Sequence, residues 1–299
     1  MAGTALTTRQ VATILSVSEA TIKRWADEGL IQSEKTVGGH RRFGLAGIAR
    51  FQRERSAAPL QRSSAQGGRK TGSREKVSSA LLFRHLVEGH EEETAALLIN
   101  AYLQGQSLAS LFDRVVTPAM HRVGDLWYRG ELTIADEHLA TQTAIAVLQK
   151  LRSVIHLPGP KEIRALVCGV EGDLHELPIH LLHALLEGDG WDVVNLGPNT
   201  PFFTLVEALA KHRPQLLCVS AKLVTDPDRV ARDYAPVRKA AGKLHTSIAL
   251  GGDGLVDRLL RQRFPSEFYA KDFNHLLGFA RSLSPWRDAE KQTRSRSLT

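Results

Sequence analysis

The sequence predicts a multidomain protein with α and α/β parts: a helix-turn-helix, then a helical bundle, then a doubly wound, Rossmann-like parallel sheet. Three observations support this prediction. Two short amphipathic helices with cap residues lie within residues 7–29. Apolar residues recur at three- and four-residue spacing over residues 77–156, and β-type runs alternate with helical stretches over residues 163–283. A chain of 299 residues is also longer than one compact domain usually is.

Changes in composition divide the chain into five segments. The predicted domains cover residues 1–54, 77–156 and 161–284. Residues 55–76 are rich in Ser, Gly and Arg and lack apolar periodicity, which predicts a flexible linker. Residues 285–299 are polar and basic, and we expect a disordered tail there.

The charge is distributed unevenly along the chain. The net charge is +7, yet residues 1–78 carry +8 and the remainder carries −1. An excess of positive charge confined to one segment is typical of a region that binds a polyanion such as nucleic acid.

The composition also indicates a compartment. No apolar run approaches the ~20 residues of a membrane span, and the first ten residues lack a secretory apolar core. Cys168 and Cys218 lie in apolar runs and are expected to be buried thiols rather than a disulfide or a zinc site. We therefore expect a cytoplasmic protein without a membrane partner.

The N-terminal segment has the pattern of a helix-turn-helix. Thr7 and Gln10 are spaced as a capping box for a first helix, and Ser18 is placed to cap a second. Gly29 follows the second helix in the C′ position. The N-terminal part of the second helix would meet base edges or phosphates in a major groove. Its candidate contact residues are Thr21, Lys23 and Arg24.

A glycine turn follows the second helix. Gly38 and Gly39 precede His40, Arg41 and Arg42, and arginines at such a turn can reach phosphates beside the groove. A closing helix is expected over residues 45–51, with Trp25 and Phe43 in the core. Residues 6–51 closely resemble the DNA-binding domain of the MerR family. The resemblance implies a winged helix-turn-helix that binds double-stranded operator DNA.

The C-terminal segment predicts a parallel sheet with helices on both faces. Its candidate strands lie at residues 164–170, 191–197, 215–222, 246–252 and 267–270. Ligands of such sheets bind beyond the carboxyl ends of the strands. Asp173 and His175 follow the first strand, and a carboxylate on one imidazole nitrogen directs the other nitrogen towards a metal.

Residues 77–283 resemble a cobalamin-binding module, in which a helical bundle covers a doubly wound domain and the corrinoid lies between them. The resemblance implies that Asp173 and His175 form the lower axial motif and that His175 ligates cobalt. Ser220 matches a serine that faces the nucleotide tail, and Gly251 and Gly252 match a glycine pair that lets the tail approach backbone.

Two positions depart from that pattern. Pro178 stands where the family has a glycine, and the family's Ser-x-Leu spacing is one residue longer here, from Ser220 to Leu223. These departures bear on whether the chain retains the cofactor.

A second motif lies in the predicted bundle. Trp127, nine residues, and then Glu137 and His138 reproduce a pattern of cobalamin-binding, light-responsive MerR-type regulators. In that resemblance the three side chains cover the adenosyl group above cobalt. Without it, Trp127 alone would be bundle core and Glu137-His138 a solvated helix start, which Thr133 and Asp136 would cap.

The whole chain resembles the adenosylcobalamin-dependent, light-sensing repressors of carotenoid genes. In that class the dark holoprotein is a tetramer on operator DNA, and light breaks the cobalt–carbon bond and dissociates the tetramer. A second histidine after the tryptophan then takes the vacated axial site, whereas this chain has Tyr128 there. The bis-imidazole photoproduct is therefore expected to be absent or built from another residue.

Three functional hypotheses follow. The first is a transcription regulator, a repressor in this resemblance, whose dimer or tetramer and DNA binding depend on adenosylcobalamin and on light. The second is a cofactor-free MerR-type regulator with a relic pocket, controlled by a partner such as an antirepressor protein. The third, disfavoured by the helix-turn-helix, is a corrinoid methyl carrier. No spacing typical of a catalytic site is present, so we expect no enzyme.

Overall fold

The computed structural model of this protein describes residues 5–15, 17–36, 38–44, 47–48, 50–51, 77–155 and 162–283. The predicted linker over residues 55–76 and the predicted tail over residues 285–299 lie outside these residues. The chain divides into two compact units, one from residues 1–107 and 114–155, the other from residues 108–113 and 156–299. Each unit is described by itself.

The N-terminal part of the first unit contains two helices and a small antiparallel sheet. Its elements are β1 (Ala5–Thr7), α1 (Thr8–Leu15), α2 (Glu19–Asp27), β2 (Glu34–Lys35) and β3 (Arg41–Gly44). Strand β3 lies between β1 and β2. The core includes Val11, Ile22 and Phe43, each fully buried. Of the expected closing helix, residues 47, 48, 50 and 51 are described and helical, and Phe51 packs on Trp25 with ring centroids 5.1 Å apart.

The expected cap residues are in place. Thr7 N donates to Gln10 Oε1 at 2.8 Å and Gln10 N donates to Thr7 Oγ1 at 3.2 Å, which completes a capping box. Ser18 caps α2 by accepting from Thr21 N at 3.2 Å. Gly29 follows α2 with φ of 71°, the left-handed conformation that a C′ glycine adopts without strain.

A β-hairpin follows α2, where the sequence predicts the wing. Thr36 N donates to His40 O at 2.9 Å, and Gly39 N donates to Thr36 O at 2.8 Å. Gly39 has φ of 74°. The turn therefore depends on a glycine at this position, because side chains rarely adopt that conformation.

The rest of the first unit is a helical bundle. The helices between residues 79 and 152 are α3 (Ser79–Val87), α4 (Glu91–Leu103), α5 (Leu108–Leu111), a π-helical turn (Phe112–Val116), α6 (Thr117–Tyr128) and α7 (Ile134–Arg152). Of these, α5 and the first two residues of the π-helical turn group with the second unit. Helix α3 packs against α4, α6 and α7, and α4 packs against α7. Leu82, Leu86, Ile99 and Leu151 are almost fully buried between them. Burial of apolar side chains at about 25 cal/mol per Å² stabilises this bundle.

The second unit is a doubly wound α/β domain. Its elements are β4 (Arg164–Gly169), α8 (Leu177–Gly188), β5 (Asp192–Asn195), α9 (Phe202–His212), β6 (Leu216–Ser220), α10 (Pro227–Leu244), β7 (Ser247–Gly251), a 3₁₀ turn (Asp253–Leu255), α11 (Arg258–Gln262), β8 (Phe268–Ala270) and α12 (Phe273–Ser282). The five strands are parallel in the order β5-β4-β6-β7-β8. All five candidate strands and the expected fold class are confirmed.

Helices cover both faces of this sheet. Leu166 and Cys168 pack into one core with Leu205 of α9 and Val237 of α10. Helix α8 packs on β4, β5 and β6, and the intervening strand residue Val167 is fully buried. Strands buried on both faces are typical of parallel sheets.

The two cysteines are buried, as expected. Cys168 and Cys218 are both free thiols in neighbouring strands. Burial raises the pKa of Cys218 to about 12 and raises that of Cys168 as well. Thiols held in the protonated form are poor nucleophiles and poor metal ligands.

Residues 108–113 belong to the α/β unit rather than to the bundle in which the sequence placed them. Asp113 Oδ1 accepts from Phe273 N at 2.8 Å and Asp113 Oδ2 accepts from Asn274 N at 3.0 Å. The carboxylate thereby satisfies amides in the first turn of α12. Phe112 packs edge-on against Phe273 at 5.5 Å.

Among the described residues, no helix is both long and apolar enough to cross a membrane.

Candidate functional site

The strand order creates a crevice at the carboxyl edge of the sheet. Chain order and sheet order differ at β4, because β5, the next strand in the chain, pairs with one edge of β4 and β6 pairs with the other edge. In doubly wound sheets with this order, ligands bind at the switch between the first and third strands. Here these are β4 and β6, and Val170 N donates to Ser220 O at 2.8 Å between their ends. The loops that follow β4 and β6 therefore define the candidate site.

Asp173 is the centre of the loop after β4. Its side chain is only 3% exposed, yet it accepts four hydrogen bonds. Oδ1 accepts from His175 N at 3.0 Å and lies 2.6 Å from His175 Nδ1. Oδ2 accepts from Lys222 N at 2.6 Å and from Leu223 N at 3.3 Å. One carboxylate thus joins the loop after β4 to the loop after β6.

The charge of Asp173 is stabilised in this position. Burial acts to raise the pKa of its carboxyl, but the hydrogen bonds from His175 and from Lys222 N outweigh burial and lower the pKa below its ordinary value. An ionised carboxylate is the partner that orients a metal-ligating imidazole and increases its basicity.

His175 lies beside Asp173, as the sequence predicts, and the structure also identifies which of its ring nitrogens could bind a metal. The side chain is 54% exposed and its Nδ1 is held by Asp173, so Nε2 is the nitrogen that a metal ion would take. The residue lies in the loop before α8, whose N-cap is Glu176. Pro178 occupies the first turn of α8, where its missing N–H has no helical partner to lose. Proline in place of the family's glycine therefore does not disturb the Asp173–His175 pair.

Two neighbouring segments form hydrogen bonds with the loop that carries His175. Asn199 N donates to Asp173 O at 2.9 Å, and Gly172 N donates to Asn199 Oδ1 at 2.8 Å. Arg229 donates to Glu171 at 2.7 Å. These contacts hold the His175 loop against the loop after β5 and the start of α10.

The glycine pair after β7 differs from expectation. The sequence suggested that Gly251 and Gly252 leave room for a cofactor tail, but the space beside Gly252 is taken by Ala221 of this chain. A Cβ on Gly252 would lie 2.4 Å from Ala221 O, and Gly254 N donates to that oxygen at 2.9 Å. Lys222 also forms an ion pair with Asp253. The Ser220–Leu223 loop of this chain therefore packs against Gly252, while Ser220 is nearly buried at the end of β6.

Apolar side chains surround this edge of the sheet. They follow the carboxyl ends of four different strands, and each of these residues is at least half exposed. These residues are Leu174, Phe203, Leu223, Val256 and Leu259. Exposed apolar side chains grouped around a polar ligand are typical of a binding surface.

In the first unit, the adenosyl-covering residues of the prediction lie around the junction of α6 and α7. Trp127 is 46% exposed near the end of α6 and is therefore not bundle core. Glu137 and His138 lie in the first turn of α7, where Thr133 and Asp136 form the expected capping box. Glu137 accepts from Thr141 Oγ1 at 2.8 Å, and His138 is exposed. Tyr128 is 86% exposed.

The candidate DNA contacts divide into two groups. Lys23, Arg24 and His40 are exposed. Thr21 is partly buried and its hydroxyl lies 2.9 Å from that of Ser18. These residues keep their predicted accessibility to a nucleic acid, except that Thr21 also supports the helix cap.

Arg41 and Arg42 lie differently from the sequence expectation of arginines directed at phosphates. Arg41 forms an ion pair with Asp27 and donates to Lys23 O at 2.9 Å, with its side chain 19% exposed. Arg42 is partly buried and donates to Arg41 O at 3.3 Å. Arg41 therefore fastens the hairpin to the end of α2. Asp27, which the sequence analysis missed, is its anchor.

Comparison with known proteins gives matches in all three parts of the chain. Residues 5–56 match a helix-turn-helix domain, and residues 80–152 and 163–267 match two B12 binding domain models. The chain therefore combines a helix-turn-helix with a cobalamin-binding module. These matches are consistent with a protein that is not an enzyme.

Two curated relatives are named as corrinoid proteins. Trimethylamine corrinoid protein 1 of Methanosarcina mazei is 25% identical over 138 residues, covering 45% of this chain and 64% of the relative. Methanol–corrinoid protein of Methanosarcina barkeri is 28% identical over 143 residues, covering 47% and 54%. The chain thus spans less than two thirds of the length of either relative.

A solved structure shows the same fold. The monomethylamine corrinoid protein of Methanosarcina barkeri aligns with a TM-score of 0.57 at 18% identity, covering 69% of this chain and 97% of that one.

The residues present fit the lower axial side of a cobalamin. A buried, ionised Asp173 behind His175 is a suitable donor set for cobalt. On the side of the glycine pair, Ala221 O lies where a Cβ on Gly252 would stand and accepts from Gly254 N, so the chain packs closely against itself beside this glycine.

Proposed function

We propose that this protein is a DNA-binding transcription regulator whose oligomeric state and DNA binding respond to a bound cobalamin. The observation that carries the proposal is the Asp173–His175 pair at the switch point of the sheet, in a chain that begins with a helix-turn-helix. A metal-ligand site and a helix-turn-helix in one chain favour a one-component sensor.

His175 is the proposed lower axial ligand of cobalt, and Asp173 holds its ring. Trp127, Glu137 and His138 are the proposed neighbours of an upper adenosyl group. Bound adenosylcobalamin would supply visible absorption and a cobalt–carbon bond that light can cleave. Because Tyr128 replaces the histidine of the light-sensing class, we expect no bis-imidazole product from that position.

The DNA side of the proposal rests on α2 and the hairpin. Lys23, Arg24 and His40 are the exposed groups for phosphates and base edges. Arg41 sets the angle between the hairpin and α2 through Asp27. A dimer or tetramer would place paired helices on adjacent half-sites, which links assembly to affinity.

The proposal is tested by a spectrum and an assembly size measured on one sample. Purified protein is incubated with adenosylcobalamin in the dark, freed of unbound cofactor, and analysed before and after green light. Retained corrinoid absorption with a light-dependent drop in mass supports cofactor and light sensing. Retention without a change in mass supports a ligand sensor only.

A matched pair of variants identifies the ligand. His175→Ala is expected to lose most of the retained corrinoid, whereas His180→Ala is expected to keep it. His180 pairs with Glu176 at 2.9 Å on α8 and so controls for the loss of a histidine–carboxylate pair. Equal retention by both variants would contradict the assignment of His175.

Two other functions have specific support. The contact of Ala221 with Gly252 favours a cofactor-free regulator controlled by a partner protein, in which the pocket is a relic. The names of the curated relatives, a trimethylamine and a methanol corrinoid protein, favour a corrinoid methyl carrier. Absence of any corrinoid retention would support the first of these. Retention without any DNA binding would support the second.

A further inference from the structure

A cluster of three metal-ligating side chains lies in the bundle, at the turn between α3 and α4. His85 is in the last turn of α3, Glu88 is its C-cap, and His90 is the N-cap of α4. One possible ligand atom of each residue lies within 4.8 Å of the others. No part of the proposed cobalamin or DNA function uses these residues.

The backbone of the turn brings the three together. Gly89 has φ of 69°, and His90 N donates to His85 O at 2.9 Å. The left-handed glycine reverses the chain, so His90 lies beside His85 with ring centroids 5.6 Å apart. His90 Nδ1 lies 3.1 Å from Glu88 Oε2.

His85 supplies an independent sign of a missing ligand. Its Nδ1 is buried and has no hydrogen-bond partner in the described structure. Buried side-chain nitrogens almost always have a hydrogen-bond partner, so an exception calls for a ligand such as a water molecule or an ion. The neighbouring acids Glu91 and Glu92 are already paired with Lys150, at 2.8 and 2.7 Å, while Glu88 is directed at His90.

We propose that His85, Glu88 and His90 bind a divalent transition-metal ion, with Zn²⁺ as the expected occupant. Two imidazoles and one carboxylate form a ligand set that zinc accepts, with water in a fourth position. Zinc–nitrogen bonds of about 2.1 Å in a tetrahedron place ligand atoms roughly 3.4 Å apart. The ligand atoms lie within 4.8 Å of one another, so they need to approach by at most about 1.4 Å, which rotamer changes of exposed groups such as Glu88 and His90 allow.

The ion would fasten the turn against α7. The side chain of Leu139 lies against Gly89, where a Cβ would meet Leu139 Cδ1 at 3.2 Å. Leu139 directly follows His138 in the chain, so the proposed metal site borders the helix start that carries Glu137 and His138.

Zinc binding to the full-length chain, carrying no polyhistidine tag, tests this site. Isothermal titration with Zn²⁺ is expected to give one site per chain with a dissociation constant in the micromolar range or tighter. Metal analysis after dialysis counts zinc separately from the cobalt of any bound cobalamin. Absence of stoichiometric zinc would overturn the proposal, whether or not the protein binds a corrinoid.

Variants locate the ion. We expect zinc affinity to fall at least tenfold in each of three variants, His85→Ala, His90→Ala and Glu88→Gln. His90→Cys is expected to bind zinc better than His90→Ala, because thiolate is a good zinc ligand. His180→Ala, which removes a histidine paired with a single glutamate, is the control and is expected to bind normally. Circular dichroism confirms folding of each variant. Unchanged affinity in the three variants, or an equal loss in His180→Ala, would contradict the site.

Discussion

The two halves of the candidate cofactor site differ in how ready they are to receive a ligand. In the axial half, a buried Asp173 orients His175 and leaves that ring more than half exposed. In the tail half, Ala221 of the same chain already contacts the glycines after β7. The fold thus holds the proposed metal ligand in place through one carboxylate, whereas the glycines proposed to face the tail are packed against residues 220–223 of the same chain.

The difference has a sequence origin. The D-x-H spacing places both residues in a single short loop, so local backbone geometry suffices to bring them together. The tail half is built from two loops that follow different strands, and these loops meet where Gly254 N donates to Ala221 O.

The largest expected effect is the loss of folding stability caused by Gly252→Ala. The new Cβ would lie 2.4 Å from Ala221 O, and φ of 107° is a conformation that side chains rarely adopt. We expect destabilisation of at least ~2 kcal/mol in urea unfolding, since strain and steric overlap add. Gly197→Ala is the control, because Gly197 has φ of 81° but open space around it, and it should cost about 1 kcal/mol. Equal losses in the two variants would mean that the tail half is not closed by Ala221.

The next effect concerns the axial half. Asp173→Asn keeps the shape of the side chain but removes the negative charge behind His175. Loss of such a partner typically weakens metal affinity about 10–100-fold. Corrinoid affinity, measured by absorbance titration in the dark, should fall within that range, with Asp226→Asn as a control at the N-cap of α10. An unchanged corrinoid affinity would show that Asp173 does not contribute to cofactor binding.

The pH dependence of stability tests the same carboxylate without a cofactor. The pKa of Asp173 is lower in the folded protein than its ordinary value of 3.8. Its charge therefore stabilises the fold above that value, and this stabilisation is lost as the pH falls through the lowered pKa. Between about pH 5 and pH 3, wild type should lose more stability than Asp173→Asn. Parallel pH profiles of the two proteins would contradict an ionised, hydrogen-bonded Asp173.

The smallest effect concerns the loop that closes the tail half. Lys222 and Asp253 form an ion pair that holds residues 220–223 over the glycines, and both side chains are partly exposed. Such pairs contribute about 0.2–1 kcal/mol. Lys222→Ala should therefore raise corrinoid affinity about two- to fourfold in absorbance titration, because the loop opens at lower cost. A decrease in affinity would show that Lys222 helps to bind the cofactor instead.

Much of the fold follows from the sequence alone. The capping boxes at Thr7 and Thr133, the C′ glycine at Gly29 and the five parallel strands are local patterns with one dominant structural solution. The contact of Asp173 with His175 was also predictable, since two residues of separation leave few alternatives.

Other features depend on contacts between distant residues. Strand β1 has only three residues, too few for a periodic pattern, and exists because it pairs with β3. Residues 108–113 are helical in pattern, but Asp113 joins them to α12, 160 residues later. Arg41 had the pattern of a phosphate contact and is bound to Asp27 instead.

The three metal-ligating side chains in the bundle could not be predicted from the sequence either. His85, Glu88 and His90 do not share a helical face, because they span the end of one helix and the start of the next. Helical spacing therefore gives no signal for them. Only the left-handed Gly89 brings their side chains together, and a sequence shows the glycine without showing the turn it makes.

The central claim is that a corrinoid bound at His175 controls DNA binding. The most direct test measures affinity for a DNA duplex, selected by the protein from a random pool, with and without adenosylcobalamin in the dark at fixed salt. We expect at least a tenfold difference in wild type and none in His175→Ala. Identical affinity of wild-type protein in both conditions would contradict it.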